Sequence, residues 1–177
     1  KLHFSNKFSA NIDLATATGK SWVIYGIASI MLACNAVDQV LILVPSVTIE
    51  EELTKKIKSL ATDSQLSSLL SGFIPKIING SSTISNGSIC IENRDAIYKN
   101  ARTSICDSLA GKGDRTLVIS DEAHHIYYSE ENQWKSFIEK ISFKFILGLS
   151  GTCYYSDNVY FTDVIYRYSL KSAITED

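Results

Sequence analysis

Residues 10–33 read as a short strand, a loop of small residues and a buried helix in unbroken succession. No other stretch of the chain limits its fold as tightly. Ala10 to Leu14 are apolar enough for a strand, Thr16-Ala17-Thr18-Gly19-Lys20-Ser21 form the loop, and Trp22 to Ala33 (WVIYGIASIMLA) continue as an apolar run of helical length. In such a unit the backbone N–H groups of the loop converge, and the positive end of the helix dipole points at the same place, which suits a phosphate. Gly19 lets the backbone approach closely, Lys20 suits the β- and γ-phosphates of a nucleotide, and the Ser21 hydroxyl suits Mg2+. Thr16, Ala17 and Thr18 complete the wall. Ala17 stands where loops of this kind usually carry a second glycine, and its methyl disfavours a positive φ. A buried helix that happens to begin Gly-Lys-Ser is the plain alternative.

Much later, Thr116-Leu117-Val118-Ile119 follows the turn Gly111-Lys112-Gly113-Asp114 and reads as a strand that delivers Asp121-Glu122-Ala123-His124 at its carboxyl end. In open α/β sheets that edge binds ligands, and it is the edge on which the first loop lies. Asp121 suits magnesium, directly or through water, and Glu122 suits orienting or deprotonating an attacking water. Together the two clusters point to nucleotide hydrolysis; ordinary carboxylates at a solvated strand end are the alternative. His124 and His125 are adjacent, so they point apart, and no Cys or His-x-His spacing accompanies them, which argues against zinc.

The order of these segments resembles the first of the two RecA-like domains of a superfamily 2 DEAD/DEAH-box helicase, and more narrowly the motor portion of the type III restriction enzyme Res-subunit family. Ala15 to Ser21 (ATATGKS) resembles motif I, Leu41-Ile42-Leu43-Val44-Pro45-Ser46 motif Ia, Asp121 to His124 the DEAH form of motif II, and Ser150-Gly151-Thr152 motif III. Tyr166 to Ile174 looks like the segment that follows motif III in the Res-like branch. The resemblance covers nearly the whole chain. Its departures are Gly151 for the usual Ala and Cys153 where a Pro commonly follows.

The resemblance implies an α/β RecA-like P-loop NTPase domain over residues 1–177, a mostly parallel sheet with helices on both faces, using ATP and Mg2+. It implies that Pro45 and Ser46 contact a nucleic-acid backbone, DNA or RNA, and that Ser150 and Thr152 couple hydrolysis to strand movement with His124 on the path between. For Pro45-Ser46 a strand end leading into a helix is an equal explanation. A second RecA-like domain would supply an arginine finger, which none of Arg94, Arg102, Arg115 and Arg167 resembles in setting. The expected activity is that of an ATP-dependent translocase or helicase, a restriction-type DNA motor. The alternatives are a noncatalytic nucleotide-dependent binding module, with Ala17 and Gly151 as marks of lost turnover, and an RNA helicase of the same superfamily.

With 45% hydrophobic and 20% charged residues, 177 residues suit one globular domain. A net charge of −2 argues against a strongly basic nucleic-acid clamp. Cys34, Cys90, Cys106 and Cys153 lack paired spacing, as for reduced thiols in a cytoplasmic protein. Trp22 to Ala33 falls short of the roughly 20 apolar residues of a membrane span. The chain opens at Lys1 with neither Met nor signal sequence, as a piece of a longer protein would.

Further strands are expected at Gln39–Val44, Lys76–Ile78, Ser88–Ile91 and Phe143–Leu149, with helices between most of them. Thr48 with Glu51 and Thr62 with Gln65 read as capping boxes, and Gly72 as the close of the second helix. Asn93 suits a cap for a helix carrying Ile97, Ala101, Ile105 and Leu109, although Glu92-Asn93-Arg94 also suits a nucleic-acid contact. Residues 79–88 read as a flexible polar loop. Tyr127, Tyr128, Tyr154, Tyr155, Tyr160, Tyr166 and Tyr168 suit packing on a neighbouring domain better than stacking on bases, since no Lys and Arg interleave with them.

Overall fold

The computed structural model describes residues 8–15, 18–98, 103–123, 131–151, 154–155, 158–159 and 164–169. Strands β1 (Phe8–Leu14), β2 (Gln39–Val44), β3 (Lys76–Asn79), β4 (Ser88–Asn93), β5 (Thr116–Ser120), β6 (Phe145–Ser150) and β9 (Val164–Tyr168) form one sheet in the order β3-β4-β2-β5-β6-β1-β9. Every neighbouring pair in it is parallel. β7 (Tyr154–Tyr155) and β8 (Asn158–Val159) make a small antiparallel pair. Parallel strands need crossovers, and α1 (Lys20–Ala33), α2 (Val47–Ala61), α3 (Ser64–Leu69), α4 (Arg94–Tyr98), α5 (Thr103–Leu109) and the helix Glu131–Ile141 supply them.

β2, β4 and β5 are buried at every residue, so their continuous Val, Ile and Leu runs serve two cores at once. Val40, Ile42 and Val44 face α1 and α2, where Ile24, Tyr25, Ala28, Leu32, Leu53 and Ile57 close one core. Leu41, Leu43 and Val118 face the other side, against Ile105, Leu109, Phe137, Ile138 and Ile141. The α/β expectation of helices on both faces therefore holds.

Cap positions differ from the sequence reading. Ser46, not Thr48, caps α2: its Oγ accepts from the Ile49 amide at 3.3 Å, and Thr48 already lies inside the helix. Asp63, not Thr62, caps α3, because its Oδ1 reaches the amides of both Gln65 (2.9 Å) and Leu66 (3.1 Å). The Thr62 hydroxyl instead donates back to Ser59 O at the end of α2 (2.9 Å). Asn93 does cap α4, its Oδ1 accepting from the Ala96 amide at 2.9 Å. Gly72, at φ 79°, closes α3 by donating to Ser67 O (2.8 Å). The helix expected across Ile97, Ala101, Ile105 and Leu109 is seen as α4 and α5, with residues 99–102 outside the described set. Ile84, 1% exposed, pins the loop between β3 and β4 to the core. Among the described residues no helix is long and apolar enough to cross a membrane.

Candidate functional site

Because the strands run in parallel, Leu14, Val44, Asn93, Ser120 and Ser150 all end at one edge of the sheet. There Gly19 takes φ 87° and ψ 25°, a left-handed conformation open to glycine without penalty, and turns the chain into α1. As N-cap it brings no side chain, so no side chain caps the first-turn amides of α1 at the positive end of the helix dipole, although the Trp22 amide donates to Gly19 O at 2.9 Å. Thr18 is spent inside the loop, its hydroxyl donating to Ala15 O at 2.6 Å. Ser21 lies partly buried in the first turn. Thr16 and Ala17 lie outside the described residues.

β9, which sequence patterning did not show as a strand, buttresses this loop from the edge. Ala15 N donates to Tyr168 O (3.1 Å), and Arg167 Nε pairs with Asp13 Oδ2 at 2.9 Å. Of the tyrosines near the end of the chain, Tyr166 is half-exposed and Tyr168 packs against the core. Tyr127, Tyr128 and Tyr160 lie outside the described residues.

At the end of β5, Asp121 is 9% exposed, its amide donating to Leu43 O of β2 at 2.8 Å and its Oδ1 accepting from Glu122 N at 3.0 Å. Glu122 stands at φ 45°, an uncommon left-handed conformation for a residue with a side chain, and its Oε1 pairs with Lys20 Nζ. Burial pushes the Asp121 carboxyl above its ordinary range; the Lys20 ammonium opposes that shift, the Glu122 charge adds to it, and the Glu122 amide opposes it.

The sheet order explains how Lys20 reaches Glu122. β6 lies between β1 and β5, which places those two strands roughly 10 Å apart at two strand spacings. Lys20 and Glu122 meet across that gap, each side chain covering part of it; β6 between them ends in Ser150, which is fully buried, and Gly151, which is partly so. Asn11, Gly148 and Ser120 lie in register beneath, as a polar row across β1, β6 and β5. His124 and Thr152 lie outside the described residues.

Pro45 and Ser46 connect β2 to α2 at the same edge, with Ser46 exposed and engaged as a cap. Beside them is a buried network that sequence reading missed. Glu50 Oε2 accepts from Asn93 Nδ2 (2.7 Å) and from Asn93 N (3.1 Å), and Glu92 Oε1 also accepts from Asn93 Nδ2 (2.9 Å). Glu92 Oε2 accepts from Gly80 N at 3.1 Å. Burial, then the charges of Glu92 and Glu50, push the nearby Cys90 thiol up to about 12. The only signal in the sequence was the consecutive polar pair Glu92-Asn93 ending an otherwise apolar strand.

Among the described residues no three His, Cys, Asp or Glu side chains gather into a metal-holding group. That donor set still fits magnesium, which keeps several waters and typically takes one or two carboxylates plus substrate phosphates. Asp121, whose burial disfavours its own charge, would serve with the Ser21 hydroxyl.

Solved structures share this architecture. The UvsW helicase from bacteriophage T4 aligns over 91% of this chain and 54% of its own, with a TM-score of 0.58 at 16% identity. A nuclease-deletion mutant of the Type ISP restriction-modification enzyme LlaGI, in complex with a DNA substrate mimic, aligns over 98% of this chain and 19% of its own, with a TM-score of 0.59 at 16% identity. The chain thus spans about half of the first and a fifth of the second. No curated protein matches it. Strand order and likeness define the class by its fold, an α/β domain with a RecA-like parallel sheet. Within that class the chain belongs to the family described as type III restriction enzyme, res subunit, whose model matches residues 2–155.

Proposed function

We propose that this chain is the ATP-binding half of an ATP-dependent nucleic-acid translocase or helicase, a restriction-type DNA motor that hydrolyses ATP with Mg2+. The observation that supports this most is the Lys20–Glu122 ion pair, which joins the loop before α1 to the acidic end of β5. A triphosphate at the end of α1 competes with Glu122 for the Lys20 ammonium. Once Lys20 turns to the β- and γ-phosphates, the Glu122 carboxylate can orient a water and accept its proton. Amides from Thr16 to Ser21 hold the phosphate oxygens. Ser21 and Asp121 would hold magnesium, which would supply positive charge beside the phosphates.

Ser150 and Thr152, with His124, carry the hydrolysis signal to the nucleic-acid side, where Pro45 and Ser46 meet the strand backbone. A second RecA-like domain completes the site with an arginine, worth on the order of 10³–10⁵ in rate. The chain itself then hydrolyses ATP negligibly. DNA is favoured as the track because LlaGI was solved with a DNA substrate mimic. ATPase assays of the intact protein with no nucleic acid, with duplex DNA and with RNA test the reading. DNA-stimulated turnover is expected; stimulation by RNA alone makes it an RNA motor, and no turnover under any condition makes it a noncatalytic module.

A further inference from the structure

Trp22 is the first residue after Lys20-Ser21, and 48% of its surface is exposed, although Ile24, Tyr25, Ala28 and Leu32 of the same helix are buried. It makes no aromatic ring contact among the described residues. Helical side chains lean toward the N-terminus, and the Trp22 ring does so: its Cδ1 is 4.0 Å from where a Cβ on Gly19 would stand. One turn further along, nothing lies within 4 Å of a Cβ placed on Gly26, so the surface beside the indole is open. The indole therefore borders the end of α1 that no side chain caps.

Its direction relative to Lys20 decides what it can meet. At 3.6 residues per turn, two positions along a helix differ by about 200°, so Trp22 and Lys20 leave opposite sides of α1. Lys20 points to Glu122, which marks the side where the terminal phosphate belongs. A nucleotide laid across the helix end with its γ-phosphate there must leave its nucleoside toward the other side, the side of Trp22.

We infer that Trp22 is the stacking platform for the base or sugar of the bound nucleotide. This rests on the phosphate site proposed above. Stacking on an aromatic face does not distinguish one base from another, so Trp22 contributes affinity for the nucleoside and not choice of base.

The test compares Mg–ATP with Mg–tripolyphosphate, which carries the phosphates without a nucleoside, by calorimetry on the chain and its variants. Trp22→Ala is expected to weaken ATP by about tenfold, the low end of measured base stacking, and to leave tripolyphosphate unchanged. Trp22→Phe is expected to restore most of the loss. In a Trp134→Phe background, Trp22 emission should respond to ATP and not to tripolyphosphate. Equal ATP affinity in Trp22→Ala and the parent chain, or equal weakening of both ligands, would overturn the assignment. If tripolyphosphate binds the parent chain no better than Lys20→Ala, the phosphate site itself fails, and this inference with it.

Discussion

Lys20 and Glu122 lie 102 positions apart in the chain and form an ion pair, with their side chains only 13% and 24% exposed. Neither residue's neighbours in sequence bring the two together. The pairing follows from β6 lying between β1 and β5, with both strands ending at one edge. It makes the bound and free states of the site mutually exclusive at one ammonium, because Lys20 cannot serve Glu122 and a phosphate in full at once.

Replacing Lys20 with Ala is expected to lower Mg–ATP affinity by roughly ten- to a hundredfold, since a hydrogen bond to a charged group contributes about 1.5–3 kcal/mol. The loop amides remain in place, so binding is weakened and not erased. Isothermal titration with ATP and ADP reads this directly. Unchanged affinity would mean that the loop before α1 does not hold phosphate.

Glu122→Gln separates binding from chemistry. An amide cannot accept the water's proton, so hydrolysis by the intact protein should slow by about 10²–10⁴, the usual contribution of a general base. ATP binding should persist or tighten, because the variant no longer draws Lys20 away with a full charge. Parallel loss of binding and turnover would make Glu122 a structural residue.

Asp121 carries a cost that pH exposes. Burial raises its pKa in the folded chain above the unfolded value, so the folded state holds this proton more tightly. Stability from that source is fully present below the ordinary carboxylate range and is lost as pH rises through the folded pKa. Asp121→Asn should therefore raise the melting temperature at neutral pH, with the advantage fading as the pH falls through the raised folded pKa and gone below the ordinary Asp value. The same variant should lose the magnesium dependence of nucleotide binding. Melting curves of the two proteins that run parallel at all pH values would contradict the burial argument.

Gly113 sits in the turn before β5, where a Cβ would stand 2.1 Å from Ile141 O and 2.6 Å from Ser142 O. Both obstacles are backbone, and Lys144 N also donates to Gly113 O at 3.0 Å, so the turn cannot retreat freely. Gly113→Ala should cost about 1–3 kcal/mol, as overpacking does, and lower the melting temperature by roughly 2–4 °C per kcal/mol. Nucleotide affinity measured well below that temperature should be unaltered. A melting temperature equal to the parent's would show that the turn yields.

The chain's local chemistry was readable without its fold wherever one segment contained the whole signal. The apolar run Gln39–Val44 is a strand because only burial on both faces accommodates it, and Gly19-Lys20-Ser21 ahead of an apolar run marks a loop leading into a helix. Asp121-Glu122 at the end of Thr116–Ser120 was legible for the same reason. Caps were less so: Thr48 and Ser46 both carry a hydroxyl suited to capping, and only the place where α2 leaves β2 chose Ser46.

What remained hidden depends on partners distant in sequence. Val164–Tyr168 became a strand because β1 offered it an edge, and Asp13 gained Arg167 as a result. Asn93 could be read as a cap but not as the partner of Glu50. Nor does a twelve-residue apolar run disclose that Trp22 lies on its exposed side, since that follows from which face of α1 the sheet buries. Motif and periodicity are local, so the class of the chain and the identity of its chemical groups could be read along its length. The tertiary structure alone decided which of those groups meet, because strand order brings residues together with no regard for their separation along the chain.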